Sequence, residues 1–279
     1  MTAQPAGPGG MSGPAGLNGI RHGIAIASGK GGVGKSSVAV NLAVALAQTG
    51  AATGLLDADI YGPSIPMMTG VSRMPQSNGQ KIFPILAHGV RLMSLGFLMP
   101  EGAPAVWRGP MVSGAIQQFL RDVEWGQLEY LLIDLPPGTG DAQLTLAQSI
   151  PLTGAVVVMT PQDVAMTIAS KAIAMFQQLK VPILGVIENM STFVCPHCGT
   201  PSPIFKRGGA KRASERLGLP FLGEIPLDPV ICQSSDRGEP IPITHPDSPV
   251  ATTFRQIAGA LAGRITQEAV TAPVFRVGP

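Results

Sequence analysis

The sequence predicts an α/β fold in which a doubly wound, mostly parallel sheet carries helices on both faces. Short apolar segments alternate with longer segments of helical composition along the 279-residue chain. The apolar segments are nearly continuous, without the alternation of polar and apolar residues that marks a half-exposed strand. Continuous apolar strands are typical of sheets that are buried on both sides, and strands that alternate with helices favour parallel pairing.

Seven strands and six helices are predicted, without an internal repeat. The predicted strands are residues 23–27, 53–57, 90–95, 130–135, 155–160, 183–188 and 221–225. The predicted helices are residues 34–48, 111–123, 142–149, 164–179, 210–217 and 250–265. Together they indicate one folded domain at 20–266. A Gly- and Pro-rich lead-in at 1–19 is expected to be disordered, and a flexible C-terminal tail is expected at 267–279.

Composition excludes several classes of protein. Hydrophobic residues make up 45% of the chain and charged residues 13%, and the net charge is +2. No block of lysine and arginine stands out, so no nucleic-acid partner is predicted. No apolar stretch approaches the roughly 18 residues of a membrane span, so no membrane partner is predicted. The lead-in lacks the apolar core of a secretory signal, and three cysteines do not suggest a disulfide framework. We therefore expect a cytoplasmic protein.

A phosphate-binding loop follows the first predicted strand. Residues 29–36 match the pattern G-x-x-x-x-G-K-[ST], with an apolar strand before them and a helix after them. The glycines let successive N–H groups face a phosphate, and the helix adds the positive end of its dipole. Lys35 is expected to reach the β- and γ-phosphates, and the Ser36 hydroxyl to bind Mg²⁺. The alternative is a glycine-rich turn without a ligand. We assign nucleotide binding to Gly29, Lys30, Gly31, Gly32, Val33, Gly34, Lys35, Ser36 and Ser37.

Aspartates end two of the predicted strands. A carboxylate at the end of a buried strand is costly unless hydrogen-bond donors or a cation surround it. Asp134 is predicted to bind Mg²⁺ or its waters, since two prolines and a glycine follow it and disfavour a helix cap. Asp57 is predicted to support the Mg²⁺ water shell. Asp59 lies one step further into its loop and is predicted to orient the attacking water.

A second lysine, Lys30, directly follows the first glycine of the loop. One lysine already serves the bound phosphates. Lys30 is therefore either a solvated surface residue or a residue that reaches a nucleotide on a neighbouring subunit. In the second case it would act in trans, in the manner of an arginine finger.

Cys195 and Cys198 form a C-x-x-C pair. Two thiolates at this spacing suit one metal centre, but Zn²⁺ and iron–sulfur clusters usually take four ligands. Cys232 stands alone, and His197 lies inside the pair, where it is poorly aimed to help. Pairing two chains is the simplest route to four sulfur ligands. A thioredoxin-like dithiol should open a helix, which the glycine and prolines after the motif disfavour. Iron–sulfur, zinc and unliganded cysteines remain open on spacing alone.

The form K-G-G-V-G-K-S at residues 30–36 resembles the deviant Walker A family of P-loop NTPases. That family includes MinD, ParA, the nitrogenase iron protein and the Mrp/ApbC-type iron–sulfur cluster carriers. Residues 187–243 are similar to the carriers nearly throughout, with I-E-N-M-S-T-F-V-C-P-H-C-G and S-S-D-R-G-E-P-I. Upstream, L-L-D-A-D-I-Y-G-P-S and D-L-P-P-G-T-G-D match as well. These motifs are specific to the carriers, and the resemblance covers about 20–265.

The resemblance implies an ATP-dependent iron–sulfur cluster carrier with slow, switch-like ATP hydrolysis. It implies a homodimer in which Lys30 crosses to the partner's nucleotide and Asp59 orients water. It places Asn189 on the adenine ring, although a turn asparagine is an equal alternative on the sequence. It also implies a labile [4Fe–4S] cluster that Cys195 and Cys198 of both chains bind and that is passed to apo iron–sulfur proteins.

Two other activities occur among proteins with this type of loop. A MinD/ParA-like positioning ATPase would need a basic amphipathic tail or a basic DNA patch, and residues 266–279 hold one arginine and one glutamate. A targeting ATPase with interfacial zinc would need a methionine-rich groove, whereas the 12 methionines are scattered. Cys232 is expected to be a buried structural cysteine in a helix near the nucleotide base.

Overall fold

The computed structural model describes residues 19–59, 62–98, 109–138, 140–195 and 197–271. The strands are β1 Ile20–Ala27, β2 Thr53–Asp57, β3 Gln76–Ser77, β4 Ile82–Phe83, β5 Ile85–Ala87, β6 Val90–Ser94, β7 Leu128–Asp134, β8 Gly154–Met159, β9 Ile183–Val194, β10 Pro201–Ser202 and β11 Phe221–Leu227. The helices are α1 Lys35–Gln48, α2 Ile65–Met68, α3 Gly109–Asp122, α4 Asp141–Ser149, α5 Asp163–Gln178, α6 Gly209–Leu217, α7 Pro229–Arg237, α8 Ile241–Thr244 and α9 Pro249–Thr271.

One sheet organises the described part of the chain. Its strand order is β10-β9-β8-β1-β7-β2-β6-β5, and β11 also pairs with β9. Pairing is parallel between β1 and both β7 and β8, between β2 and both β6 and β7, and between β9 and both β8 and β11. Only the additions of β5 and β10 to this sheet are antiparallel. The predicted fold class is therefore confirmed, and the carboxyl ends of the parallel strands meet at one edge, where ligands bind in such sheets.

Both faces of the sheet are buried, which explains why the strands are continuously apolar. In β1, Ile24 and Ile26 belong to the core layer beneath α1, α8 and α9. Ala25 and Ala27 belong to the layer on the other side, beneath α3, α4, α5 and α6. Successive side chains of a strand point to opposite faces. Each strand must therefore be apolar at every position that lies between the two helix layers.

The predicted elements agree with the structure within three residues at all but two ends. β9 continues to Val194 because β10 and β11 both pair along its second half. α9 continues to Thr271, supported by the Arg264–Glu268 ion pair one turn apart, so the predicted domain end at 266 lies within a helix. The short elements β3, β4, β5, β10, α2 and α8 are not predicted, because two to four residues show no periodicity. Residues 1–18 and 272–279 lie outside the described residues.

Across the described ranges, none of the helices combines the length and the hydropathy needed to cross a bilayer.

Candidate functional site

The phosphate-binding loop connects β1 to α1 and lines a cavity of about 200 Å³. Gly32 and Gly34 have φ angles of 75° and 77°, in the left-handed region that favours glycine. A side chain at Gly34 is also excluded by space, because a Cβ atom there would lie 2.3 Å from Asn189 Nδ2. The cavity is lined by residues 30–37 together with Ser28, Asp59, Ser64, Met68 and Pro137. The loop therefore has the backbone shape that the sequence pattern predicts.

Lys35 and Ser36 both bind Asp134, the last residue of β7. Lys35 Nζ donates to Asp134 Oδ1 at 2.6 Å, and Ser36 Oγ donates to Asp134 Oδ2 at 2.6 Å. The Lys35 side chain is 5% exposed and the Asp134 side chain 0%. The pair is thus a buried, charge-assisted hydrogen bond, the strong class of such contacts. It joins the phosphate loop to the adjacent strand end that was predicted to bind Mg²⁺.

Asp57 lies beside Asp134 in the parallel register of β2 and β7. Its carboxylate accepts hydrogen bonds from Ser94 Oγ, Asp59 N and Ile65 N. Burial, and then the negative charge of Asp134, raise the pKa of Asp57 to about 7. Burial also raises the pKa of Asp134, an effect that the Lys35 ammonium opposes. Two buried carboxylates thus repel each other at the end of the sheet.

These residues fit Mg²⁺. Carboxylate and hydroxyl oxygens are the donors that this hard cation prefers, and Ser36, Asp57 and Asp134 supply both kinds. A divalent cation would also offset the burial that raises the pKa of both carboxyls, and the charge of Asp134 that further raises the pKa of Asp57. Asp59 lines the same cavity, with Oδ2 at 3.8 Å from Lys35 Nζ. Its role in orienting water stays a prediction.

Lys30 contacts a residue that the sequence analysis did not identify. Lys30 Nζ donates to Gln162 Oε1 at 3.0 Å. Gln162 lies three residues after the end of β8, so the rule that found the aspartates, polar residues in the connection after a strand, points to it as well. The sequence alone does not single out Gln162, because its side chain is uncharged and it belongs to no recognised motif.

Asn189 lies within β9 and is buried. Its Nδ2 atom donates to the Val33 carbonyl of the phosphate loop at 2.8 Å. Asn189 also lines a second cavity of about 240 Å³, which shares Gly34, Ser37 and Met68 with the first. The structure thus places Asn189 beside the loop and at the edge of a space suited to a base. Its contact with adenine stays a prediction.

Cys232 lines the second cavity but is exposed, so the expectation of a buried cysteine is wrong. It lies on α7, the helix expected near the base. Its Sγ atom is 3.7 Å from Asp236 Oδ2, one turn away. The face of α7 that carries Cys232 borders the cavity and is not packed in the core.

Cys195 and Cys198 lie in the turn between β9 and β10. Cys195 N donates to Thr200 O at 3.1 Å, and Gly199 N donates to Cys195 O at 2.8 Å. The described residues 197–208 contain no helix, which agrees with the expectation that the pair does not open one. Cys198 is exposed and Cys195 is half-buried. The Thr200 hydroxyl, 3.3 Å from Cys198 Sγ, stabilises the thiolate and lowers the pKa of Cys198, with a smaller contribution from Cys195.

Two large apolar side chains near the cysteine turn are exposed. Val194 is 52% exposed and Ile204 is 57% exposed, on either side of the turn. In the part of the chain that the structure describes, no group of three or more His, Cys, Asp and Glu side chains could hold a metal ion.

The comparisons with known proteins agree with this geometry. The family model described as ParA: NUBPL iron-transfer P-loop NTPase matches residues 19–262. The chain belongs to this family. An iron–sulfur cluster carrier protein from Deinococcus radiodurans is 53% identical over 252 residues, which cover 90% of this chain and 71% of that relative.

Solved structures extend the similarity to the fold. A nucleotide-binding protein from Archaeoglobus fulgidus, in complex with ADP, superposes with a TM-score of 0.72 at 42% identity and covers 80% of this chain and 88% of its own. The cell division ATPase MinD from Pyrococcus furiosus has a TM-score of 0.65 at 22% identity, covering 87% and 98%. At that identity MinD supports the fold alone.

The buried pair of Lys35 and Asp134 predicts that Lys35→Ala affects both binding and stability. The substitution removes the ammonium expected on the phosphates and leaves a buried carboxylate without its partner. We expect loss of nucleotide binding and a free energy of unfolding about 3 kcal/mol lower. Titration with a fluorescent ADP analogue and urea denaturation measure the two effects. Adding Asp134→Asn should restore most of the stability but no binding. A single variant as stable as the parent would contradict the pairing.

The raised pKa of Asp57 predicts a pH dependence of stability. Folded Asp57 keeps its proton up to about pH 7, whereas the ordinary pKa is 3.8. The folded state then binds more protons in this window, so the free energy of unfolding falls as pH rises through it. Without Mg²⁺, Asp57→Asn should lessen this loss between about pH 4 and about pH 8 by up to about 4 kcal/mol. Equally steep profiles from urea denaturation of both proteins would contradict the assignment.

Proposed function

We propose that this protein is an ATP-binding and hydrolysing iron–sulfur cluster carrier. It binds a labile [4Fe–4S] cluster at a homodimer interface and transfers it to apo iron–sulfur proteins in the cytoplasm. Support comes from the family, from the name of the Deinococcus radiodurans relative and, most directly, from the two thiols of the β9–β10 turn.

These thiols have the properties that ligands of a transferable cluster need. The thiolate is the form that binds iron, and a lowered pKa makes more of it available. Cys198 has both an exposed sulfur and a lowered pKa. A cluster held in a deep core would be retained, whereas one bound by an exposed turn can be reached by an acceptor protein. The cluster would therefore be cargo and not a resident cofactor.

The number of ligands favours two chains. A [4Fe–4S] cluster takes four cysteine ligands, and each chain brings two together in this turn. Val194 and Ile204, one before and one after the turn, expose apolar side chains that a second copy would cover. Two turns that face each other across a twofold axis would complete the sulfur set.

β9 connects the thiols to the nucleotide. Asn189 bonds to Val33 of the phosphate loop, and Cys195 follows it by six residues along the same extended segment. At about 3.3 Å per residue, a fully extended segment of this length would separate the two by at most about 20 Å. Between them, Met190 has a φ of 60°, in the left-handed region, and the pairing with β11 shifts register. A change at the phosphate loop would thus move the turn through one strand with a defined bend.

ATP would bind with its triphosphate on residues 29–37 and its base in the cavity beside Asn189. Mg²⁺ would be held by Ser36 and Asp134 with support from Asp57, and when bound it neutralises charge on the β- and γ-phosphates. Asp59 would orient water, and Lys30 would reach the partner's nucleotide. Hydrolysis would be slow, because nucleotide serves here to switch the thiol turns. No nucleic acid or membrane takes part.

The cluster proposal is tested by anaerobic reconstitution with ferrous iron and sulfide. The parent should acquire iron, sulfide and broad visible absorption, and should pass them to an apo [4Fe–4S] protein. Cys195→Ala and Cys198→Ala should each lose both properties. Cys232→Ala is the matched control, because this cysteine is exposed but lies at the other cavity, and it should load like the parent.

Two results would contradict the proposal. One is a Cys195→Ala or Cys198→Ala protein that loads and transfers a cluster like the parent. The other is stoichiometric zinc in the anaerobically purified protein together with failure to load iron, which would favour a structural zinc at the interface. Iron, zinc and sulfide measured per chain separate these cases.

A further inference from the structure

The Lys30 ammonium is held within its own chain by a residue from a neighbouring strand end. The contact of Lys30 Nζ with Gln162 Oε1 spans 132 positions in the sequence and is partly buried. β1 leads into Lys30 and β8 leads toward Gln162, and these two strands pair directly in the sheet. The bond therefore joins the connection after β1 to the connection after β8, at the sheet edge where the nucleotide cavity lies.

The Gln162 side chain does not stabilise the helix at whose start it lies. It is the N-cap residue of α5, with extended backbone angles, and its side chain does not cap the helix. Ser, Thr, Asp and Asn are favoured at such positions because their short side chains reach the first N–H groups. The longer glutamine side chain instead extends to Lys30, so its one described bond serves the lysine and not the helix.

We propose that Gln162 is a positioning residue that holds Lys30 in cis, and that ATP-dependent dimerisation must break this bond. We call the Lys30–Gln162 contact the lysine latch. The proposal rests on the proposed function in one respect, the trans role of Lys30. The latch and the trans contact compete, because the ammonium sits at one place or the other.

The neutral amide makes the latch reversible. An ammonium bound to an amide oxygen exchanges readily for a phosphate oxygen, because hydrogen bonds between two charged groups are the stronger ones. A carboxylate at position 162 would hold Lys30 as an ion pair and resist that exchange. An apolar side chain of similar size would not hold it at all. The identity of residue 162 therefore sets how readily the dimer forms.

The latch should leave nucleotide binding by a single chain unchanged. Lys35 and Ser36 bond to Asp134, and Asn189 bonds to Val33, and none of these contacts involves Gln162. Dimerisation and single-chain affinity are therefore separable measurements. If Gln162 had a merely structural role, its substitution would weaken dimerisation and nucleotide binding together.

The test compares Gln162→Glu and Gln162→Leu with Gln178→Glu, an exposed glutamine at the far end of α5. Sedimentation equilibrium with Mg²⁺ and a slowly hydrolysed ATP analogue gives the dimer Kd. We expect Gln162→Glu to raise it about tenfold, Gln162→Leu to lower it about threefold, and Gln178→Glu to leave it unchanged. Affinity for a fluorescent ADP analogue, measured in dilute protein, should stay within about twofold of the parent in all three.

Shifts of the dimer Kd in the same direction for both Gln162 variants, or no shift in either, would overturn the latch. So would a Gln162→Glu effect that persists in a Lys30→Ala background. Lys30→Ala alone distinguishes a failure of the latch from a failure of the trans role of Lys30. If it weakens the ATP-dependent dimer while the Gln162 variants match the parent, only the latch fails. If it dimerises and hydrolyses ATP like the parent, the trans role in the proposed function fails with it.

Discussion

The hydrogen-bonded ion pair of Lys35 and Asp134 is the contact on which the rest of the nucleotide site depends. A carboxylate with no exposure at the end of β7 is tolerable only beside a cation, and the register of β2 places Asp57 next to it. The sheet edge is therefore anionic and dry, and the phosphate loop supplies the compensating charge through Lys35 and a second bond through Ser36.

A Mg²⁺–nucleotide would exchange with these partners: the triphosphate would take Lys35, and the metal ion would take the carboxylates. That exchange would act on the connections that follow β1, β2 and β7 at the same time.

β9 offers a route by which a nucleotide would act on the thiols, because Cys195 lies six residues beyond Asn189 along the chain. β9 is twice as long as the sequence predicts, and its second half carries the cysteine turn outward. Asn189 fixes the first half to the phosphate loop, and Ser191 Oγ donates to Ile225 O of β11 just beyond the bend. A strand pinned at both points transmits displacement instead of absorbing it. The exposed cysteine turn follows this segment, where a second copy and an acceptor protein would have access to it.

The sequence was informative wherever residue type and position after a strand were enough. The phosphate loop, Asp57, Asp134 and the cysteine turn all follow from that rule, because parallel strands bring their carboxyl ends together whatever their order. Strand order and register are not readable from one sequence, so long-range contacts were missed. Gln162 reaches Lys30, and Asn189 reaches Val33, only because β8 and β9 are placed as they are. The second half of β9, residues 189–194, mixes polar and apolar residues, and pairing with β10 and β11 makes it a strand.

In the proposed carrier, two chains share one set of four sulfur ligands. Native mass spectrometry of anaerobically loaded protein tests it most directly, since it reports chain number and metal content of the same particle. We expect a dimer that carries four iron and four sulfide, and we expect mild oxidation to remove the cluster and dissociate the dimer at the same time. A loaded monomer, or a dimer with a full metal complement on each chain separately, would contradict it.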